Sequence, residues 1–295
     1  MNSLTIKVPS NGEPFLWFKF INDSILQISE NCDTLIVDFN DITFLDTDDF
    51  VVLACLFDLF HNKKIDIQFI NGGKELNRHL KTIKFKKYWS NGFNRDKFTF
   101  THNKITLCLW HISKEMLGSY TKYAKEYYEK TFFNNKDLLP LATNMTEIFN
   151  NIFDHSKSPV DGYIITQYFP TTKKLSFSVC DFGIGIADSL NNYYKSKNME
   201  VITDSKAIKK ALETGVSSFS TPQNKGFGLS NVLDFTENFN GKLTIYSNNG
   251  LLYKSYDDEF ILFETGYNFS GTLIKVEVST LEFDKIDDEN LIYEL

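Results

Sequence analysis

The chain has 295 residues, 42% hydrophobic and 23% charged, a globular composition long enough to bury two cores. Its net charge of −7 gives no general attraction to nucleic acid or anionic lipid. Arg78 and Arg95 are the only arginines, so bidentate guanidinium clamps on phosphate are nearly unavailable, and an anion site has to use backbone amides, lysine or metal.

The first ninety or so residues alternate in type. LTIKV reads as a strand, TLIVDF (34–39) as a buried strand, and residues 47–64 as a helix whose opening acids favour the positive end of its dipole. IDIQFI (65–70) is a further strand and residues 74–89 a further helix, an α/β layer pattern. The polar, turn-rich stretch 90–97 predicts a boundary between domains at 1–95 and 96–295. Beyond it, ITLCLWHI (105–112) is strand-like and SYTKYAKEYYEKTFF a helix with its aromatic face in the core. A helix containing EIFNNIFDHS follows, then a hairpin from 162–169 and 174–180, with Leu175, Phe177 and Val179 pointing inward. A loop-rich polar region (188–224), a helix from about 228, and the strands GKLTIYS and GTLIKVEV complete the pattern. The N-terminus lacks the basic and apolar regions of a signal peptide. The longest apolar run, VVLACLFDLF, is too short to span a bilayer, and Cys32, Cys55, Cys108 and Cys180 sit singly. A cytoplasmic, reduced, soluble protein is the expectation.

Three features carry chemistry. In EIFNNIFDHS (147–156), Asn151 lies about 40° from Glu147 around a helix and Asp154 about 20° to its other side, so the segment has a narrow polar stripe opposite two Ile and two Phe. D-F-G-I-G (181–185) begins where a strand runs out, and N-K-G-F-G-L (224–229) opens a helix whose free amides would favour an anion.

In this order, these motifs and the late Gly271-Thr272 resemble the ATP-binding domain of the GHKL superfamily (gyrase, heat-shock chaperone, histidine kinase and MutL types) over roughly residues 100–280. The resemblance implies an α/β sandwich with a mixed sheet covered by helices, binding ATP and Mg²⁺. It implies that Asp181 accepts from the adenine amino group with Thr272 in support, that Gly183 and Gly185 let the chain pass under the base, and that Ile186 joins the nucleotide contacts. Asn151 would give one oxygen to Mg²⁺, Gly226, Gly228 and Leu229 would form the phosphate turn, and Lys225 would be the lid cation. Glu147 would accept the proton of the group attacking the γ-phosphate. Asp154 fits the MutL and chaperone branch and His155 the anti-sigma serine kinases, so the motif does not choose between them.

Residues 1–90 resemble a STAS domain, the fold of bacterial anti-sigma-factor antagonists, through DITFLDTDDFVVL (41–53). The alignment puts Thr47 and Asp48 at the serines of the family's phosphorylated turn. Asp48 would imitate phosphate and Thr47 is a candidate acceptor, whereas the plain reading of Asp46 to Asp49 is a helix start. Together these resemblances imply a Mg-ATP-binding serine/threonine kinase or signalling switch acting on a protein partner, with a homodimer as one arrangement. A slow ATPase switch of the MutL or chaperone type and a non-catalytic ATP-binding scaffold are the alternatives. No histidine is followed by an acid, which argues against a histidine autokinase.

Overall fold

The computed structural model describes residues 2–10, 14–27, 32–40, 42–90, 92–95, 105–113, 116–155, 158–160, 162–213 and 228–285. Strands β1 (Ser3–Lys7), β2 (Thr34–Asp38) and β3 (Asp66–Ile70) form a parallel sheet in that order, connected through helices α1 (Pro14–Leu26) and α2 (Thr47–Asn62). Helices α3 (Lys74–Thr82) and α4 (Phe85–Tyr88) follow; the single helix expected over 74–89 is broken at Lys84, which takes a left-handed φ of 58°. The remaining elements are β4 (Thr106–Ile112), α5 (Leu117–Thr131), α6 (Leu139–His155), β5 (Gly162–Phe169), β6 (Lys174–Asp181), α7 (Gly185–Ser196), α8 (Asp204–Ala211), α9 (Gly228–Asn238), β7 (Lys242–Ser255) and β8 (Ile261–Ser279).

The second sheet has the order β4-β5-β6-β8-β7, and every neighbouring pair is antiparallel. It is therefore not the mixed sheet expected: β5–β6 and β7–β8 are hairpins, and a short hairpin connection enforces antiparallel pairing. Helices α7 and α8 occupy part of the region read as loop. Their amphipathic faces are short, with Ala187, Leu190, Tyr194 and Ala207 forming a small separate cluster, so the polar surroundings masked them. Helix α1, whose apolar residues Trp17, Phe18 and Ile21 are buried, also had no counterpart in the sequence reading. No helix among the described residues is long and apolar enough to cross a membrane.

One face of the antiparallel sheet is covered by α5, α6 and α9. Leu175, Phe177 and Val179 of β6 point to this side and join Tyr120, Tyr128, Met145 and Ile148 in one core. The other face is covered by α2. Every residue of α2 from Phe50 to Asp58 is buried, because the helix lies between the two sheets. An apolar helix without a polar face has to be buried all round, and VVLACLFDLF is such a run. A second core thus contains Leu35, Val37 and Phe57 from the first part of the chain with Tyr163, Ile165 and Cys180 from the antiparallel sheet.

Polar contacts fix where α2 lies along the strands. At its start, Asp46 is the N-cap and Asp49 closes a capping box by accepting from the Asp46 N–H at 2.9 Å. Lys275 of β8 bridges Asp46 at 2.5 Å and Asp48 at 3.0 Å. Thr47, fully buried, shares hydrogen bonds with Ser178 at 2.7 Å and Ser176 at 3.0 Å on β6. The Asp46–Asp49 acids are therefore a helix start held by a lysine. Thr47 has no route to an incoming phosphate in this fold, which corrects its reading as an acceptor. At the far end of α2, the buried Asp58 pairs with Arg95 at 2.5 Å, and the Arg95 guanidinium lies over the Trp89 ring.

Replacing Lys275 with methionine leaves Asp46 and Asp48 facing each other without a counter-charge. The expected loss is about 2–3 kcal/mol, below the roughly 3–5 kcal/mol of a fully buried pair because both acids keep some contact with solvent. Urea unfolding of K275M against the unaltered chain measures it.

Candidate functional site

Strand β6 ends at Asp181, which the antiparallel register places opposite Thr272 of β8. Main-chain pairing, and not side-chain chemistry, holds these two residues side by side. Asp181 is fully buried. Its Oδ1 accepts from the Gly183 N–H at 2.6 Å, while its buried Oδ2 has no hydrogen-bond partner among the described residues. Burial pushes the carboxyl up to about 7, and the Gly183 and Thr272 backbone N–H groups oppose the rise. Leaving a buried acceptor unsatisfied costs ~1–3 kcal/mol, which makes Asp181 an expensive residue with no structural need for its second oxygen.

The chain after Asp181 turns tightly into α7. Gly185 has a φ of 78°, and a Cβ there would run into Ser247 Oγ and Asn248 Oδ1. Gly271 has a φ of 125°, and its own Cβ would strike the main chain of Asp181 and Phe182. Two glycines of the sequence motifs are thus required by positive φ and close approach, Gly185 to side chains of β7 and Gly271 to the main chain after β6. Ile186 spends its N–H on Ser247 Oγ at 2.7 Å and packs its side chain partly against the core under α6 and α9.

On α6, Leu141, Met145, Ile148 and Phe149 are buried, and Glu147 and Asn151 are partly exposed on another side; the side chains of Ile152 and Phe153, read as part of the apolar arc, lie outside the described residues. The Asn151 Nδ2 donates to the Glu147 carbonyl at 2.9 Å. The side chains of Asp154 and His155 lie outside the described residues, as do Lys225 and Gly226. Gly228 opens α9, Leu229 is buried, and α9 packs directly on α6. The structure thus brings together Asp181, Gly183, Gly185 and Thr272, and separately places the start of α9 on the helix bearing Glu147 and Asn151. Among the described residues no hydrogen bond joins Glu147 or Asn151 to the Asp181 turn. Nor do three or more His, Cys, Asp or Glu residues gather there as a metal site.

Sequence reasoning missed Ser247 and Asn248, which line the turn from β7. The available signal was Y-S-N-N-G at the end of GKLTIYS, where turn-forming residues interrupt a strand pattern and so mark a bulge. No protein-family model matches the chain, and no curated protein matches it.

Among the described residues three carboxyls, Asp48, Asp49 and Asp181, are raised by burial, and each makes the stability of the unliganded protein fall as pH rises. Asp181 sits at about 7; Asp49 is pushed up to about 8, by burial first and then by the neighbouring Asp48. Between pH ~4, the usual unfolded value, and these values the folded chain holds protons that the unfolded chain has lost, so stability falls as pH rises. Urea unfolding at pH 5, 7 and 9 should show this decline. D181N should remove the part ending near 7, and D49N the part ending near 8.

Proposed function

We propose that this chain is a Mg-ATP-binding regulatory protein of the GHKL type, working through a protein partner. The observation that carries the reading is the Asp181 carboxyl: buried, with one oxygen held by the following glycine turn and the other without a hydrogen-bond partner among the described residues. An unpaired acceptor in a dry position suits the exocyclic amino group of adenine. Guanine presents a carbonyl oxygen at the same place, which a carboxylate repels. Gly271, packed against the main chain of Asp181 and Phe182, keeps a side chain out of the space beside the acceptor, as a flat base requires.

The remaining roles follow from the elements that bear them. The amides at the start of α9 would meet the phosphates, a fitting anion site in a chain with two arginines, one of which is committed to Asp58. Asn151 would hold Mg²⁺ through its Oδ1, its Nδ2 being spent on the Glu147 carbonyl. Magnesium keeps most of its shell as water and phosphate, so one amide is a suitable protein contribution and a cluster of acids is not needed. Bound there, the ion would offset phosphate charge. Glu147, one helical turn before Asn151, would accept the proton of the attacking water or hydroxyl. Since Thr47 is buried between α2 and β6, a hydroxyl acceptor would belong to another protein and not to this residue.

Incubation with γ-labelled ATP and Mg²⁺ separates the outcomes: label on a protein indicates a kinase, and free phosphate alone an ATPase switch. Glu147→Ala should stop either turnover while leaving ATP bound. Asp181→Asn should weaken ATP binding by about 1–3 kcal/mol, the cost of mispairing one buried polar group, as read by calorimetry. Unchanged affinity in D181N removes the adenine assignment.

A further inference from the structure

We infer that Ser247 and Asn248 are positioning residues for the base-recognition turn, capping α7 from a neighbouring strand and so fixing the surroundings of the unpaired Asp181 oxygen. This deepens the ATP reading above and rests on it.

The argument begins with a defect in β7. Its register against β8 shifts between Ser247 and Asn248 and again before Gly250, and Asn248 takes a left-handed φ of 54°. In a regular strand, consecutive side chains point to opposite faces; a bulge breaks that rule and re-aims one of them. Here both side chains reach the same turn, and both are buried.

What they meet there is the unsatisfied first turn of a helix. The N-cap of α7 is Ile184, which has no side-chain acceptor to offer. Ser247 Oγ takes the Ile186 N–H at 2.7 Å and donates to the Gly271 carbonyl at 2.8 Å. Asn248 Nδ2 donates to the Ile184 carbonyl at 3.1 Å and to Asp188 Oδ2 at 3.1 Å, while its Oδ1 lies 3.4 Å from the Asp188 N–H. One hydroxyl therefore ties the start of α7 to Gly271, the residue before Thr272. The amide beside it holds the carbonyl at the apex of the glycine turn. Both walls next to Asp181 are joined through this pair, although neither residue contacts Asp181.

Calorimetry of the full chain with MgADP and MgGDP provides the test, on the unaltered protein, S247A, S247T and N248A. S247A and N248A should each bind ADP about tenfold more weakly, the equivalent of about 1.4 kcal/mol, and lose much of the preference for ADP over GDP. S247T, which keeps the hydroxyl, should retain both. A role confined to general stability would lower ADP and GDP affinity together and leave their ratio unmoved; that result, or unaltered ADP affinity in both alanine variants, overturns the inference. N248S is read in the same way if an alanine variant does not fold. Absence of ADP binding in the unaltered protein overturns the ATP reading itself and this inference with it, whereas binding there with indifferent variants removes only the positioning role.

Discussion

The antiparallel pairing of β6 with β8 is the constraint on which the rest of the structure depends. Toward its end it sets Asp181 beside Thr272; earlier along the same ladder it sets Ser178 beside Lys275. The first pair belongs to the candidate site and the second to the seat of α2. Because side chains alternate along a strand, Leu175, Phe177 and Val179 serve the core under α6 while Ser176, Ser178 and Cys180 serve α2. A slip of one residue would exchange these sets and drive hydroxyls into an apolar core. Burial on both faces makes the register unusually well specified.

The two kinds of contact with α2 do different work. Apolar burial is large and nondirectional, and would be nearly as favourable with the helix displaced by a turn. The hydrogen bonds of Thr47 to Ser176 and Ser178, the Lys275 bridge and the Asp58–Arg95 pair are directional and individually modest, but each is satisfied at one position only. Cohesion comes from the first kind and placement from the second. This is why a strand face rich in serine can lie in a protein interior without cost from unsatisfied hydroxyls.

Much of the fold was legible in the sequence. Strands β1 to β3, the apolar helix α2, the aromatic helix α5, the striped helix α6 and both hairpin strands lie where the residue pattern puts them, because each is an apolar run or carries an apolar face, whereas α1 and the parallel pairing it allows were not read. What periodicity could not convey was the burial of a polar face. Ser176 and Ser178 alternate with Leu175, Phe177 and Val179, a pattern that normally means solvent on one side, and only the chain 129 to 131 residues away reveals the cover. The glycine turns were legible because positive φ and close approach restrict residue type. Ser247 and Asn248 were not, since a bulge changes where a side chain points without changing what it is. Helices α7 and α8 were hidden for a simpler reason: their buried faces are too small to stand out from polar neighbours.

Helix α2 has a further consequence through its position between two sheets. Neither sheet can cover the face turned toward the other without it, so the core between the sheets belongs to both halves of the chain. The parallel sheet alone would expose the side of α2 that now faces Cys180 and Tyr163, and the antiparallel sheet alone would present bare serines beside apolar residues. Melting is therefore expected to be a single cooperative event across both sheets. The register of a helix near residue 50 and the alignment of a strand ending at residue 181 are inherited together, as one mechanical unit.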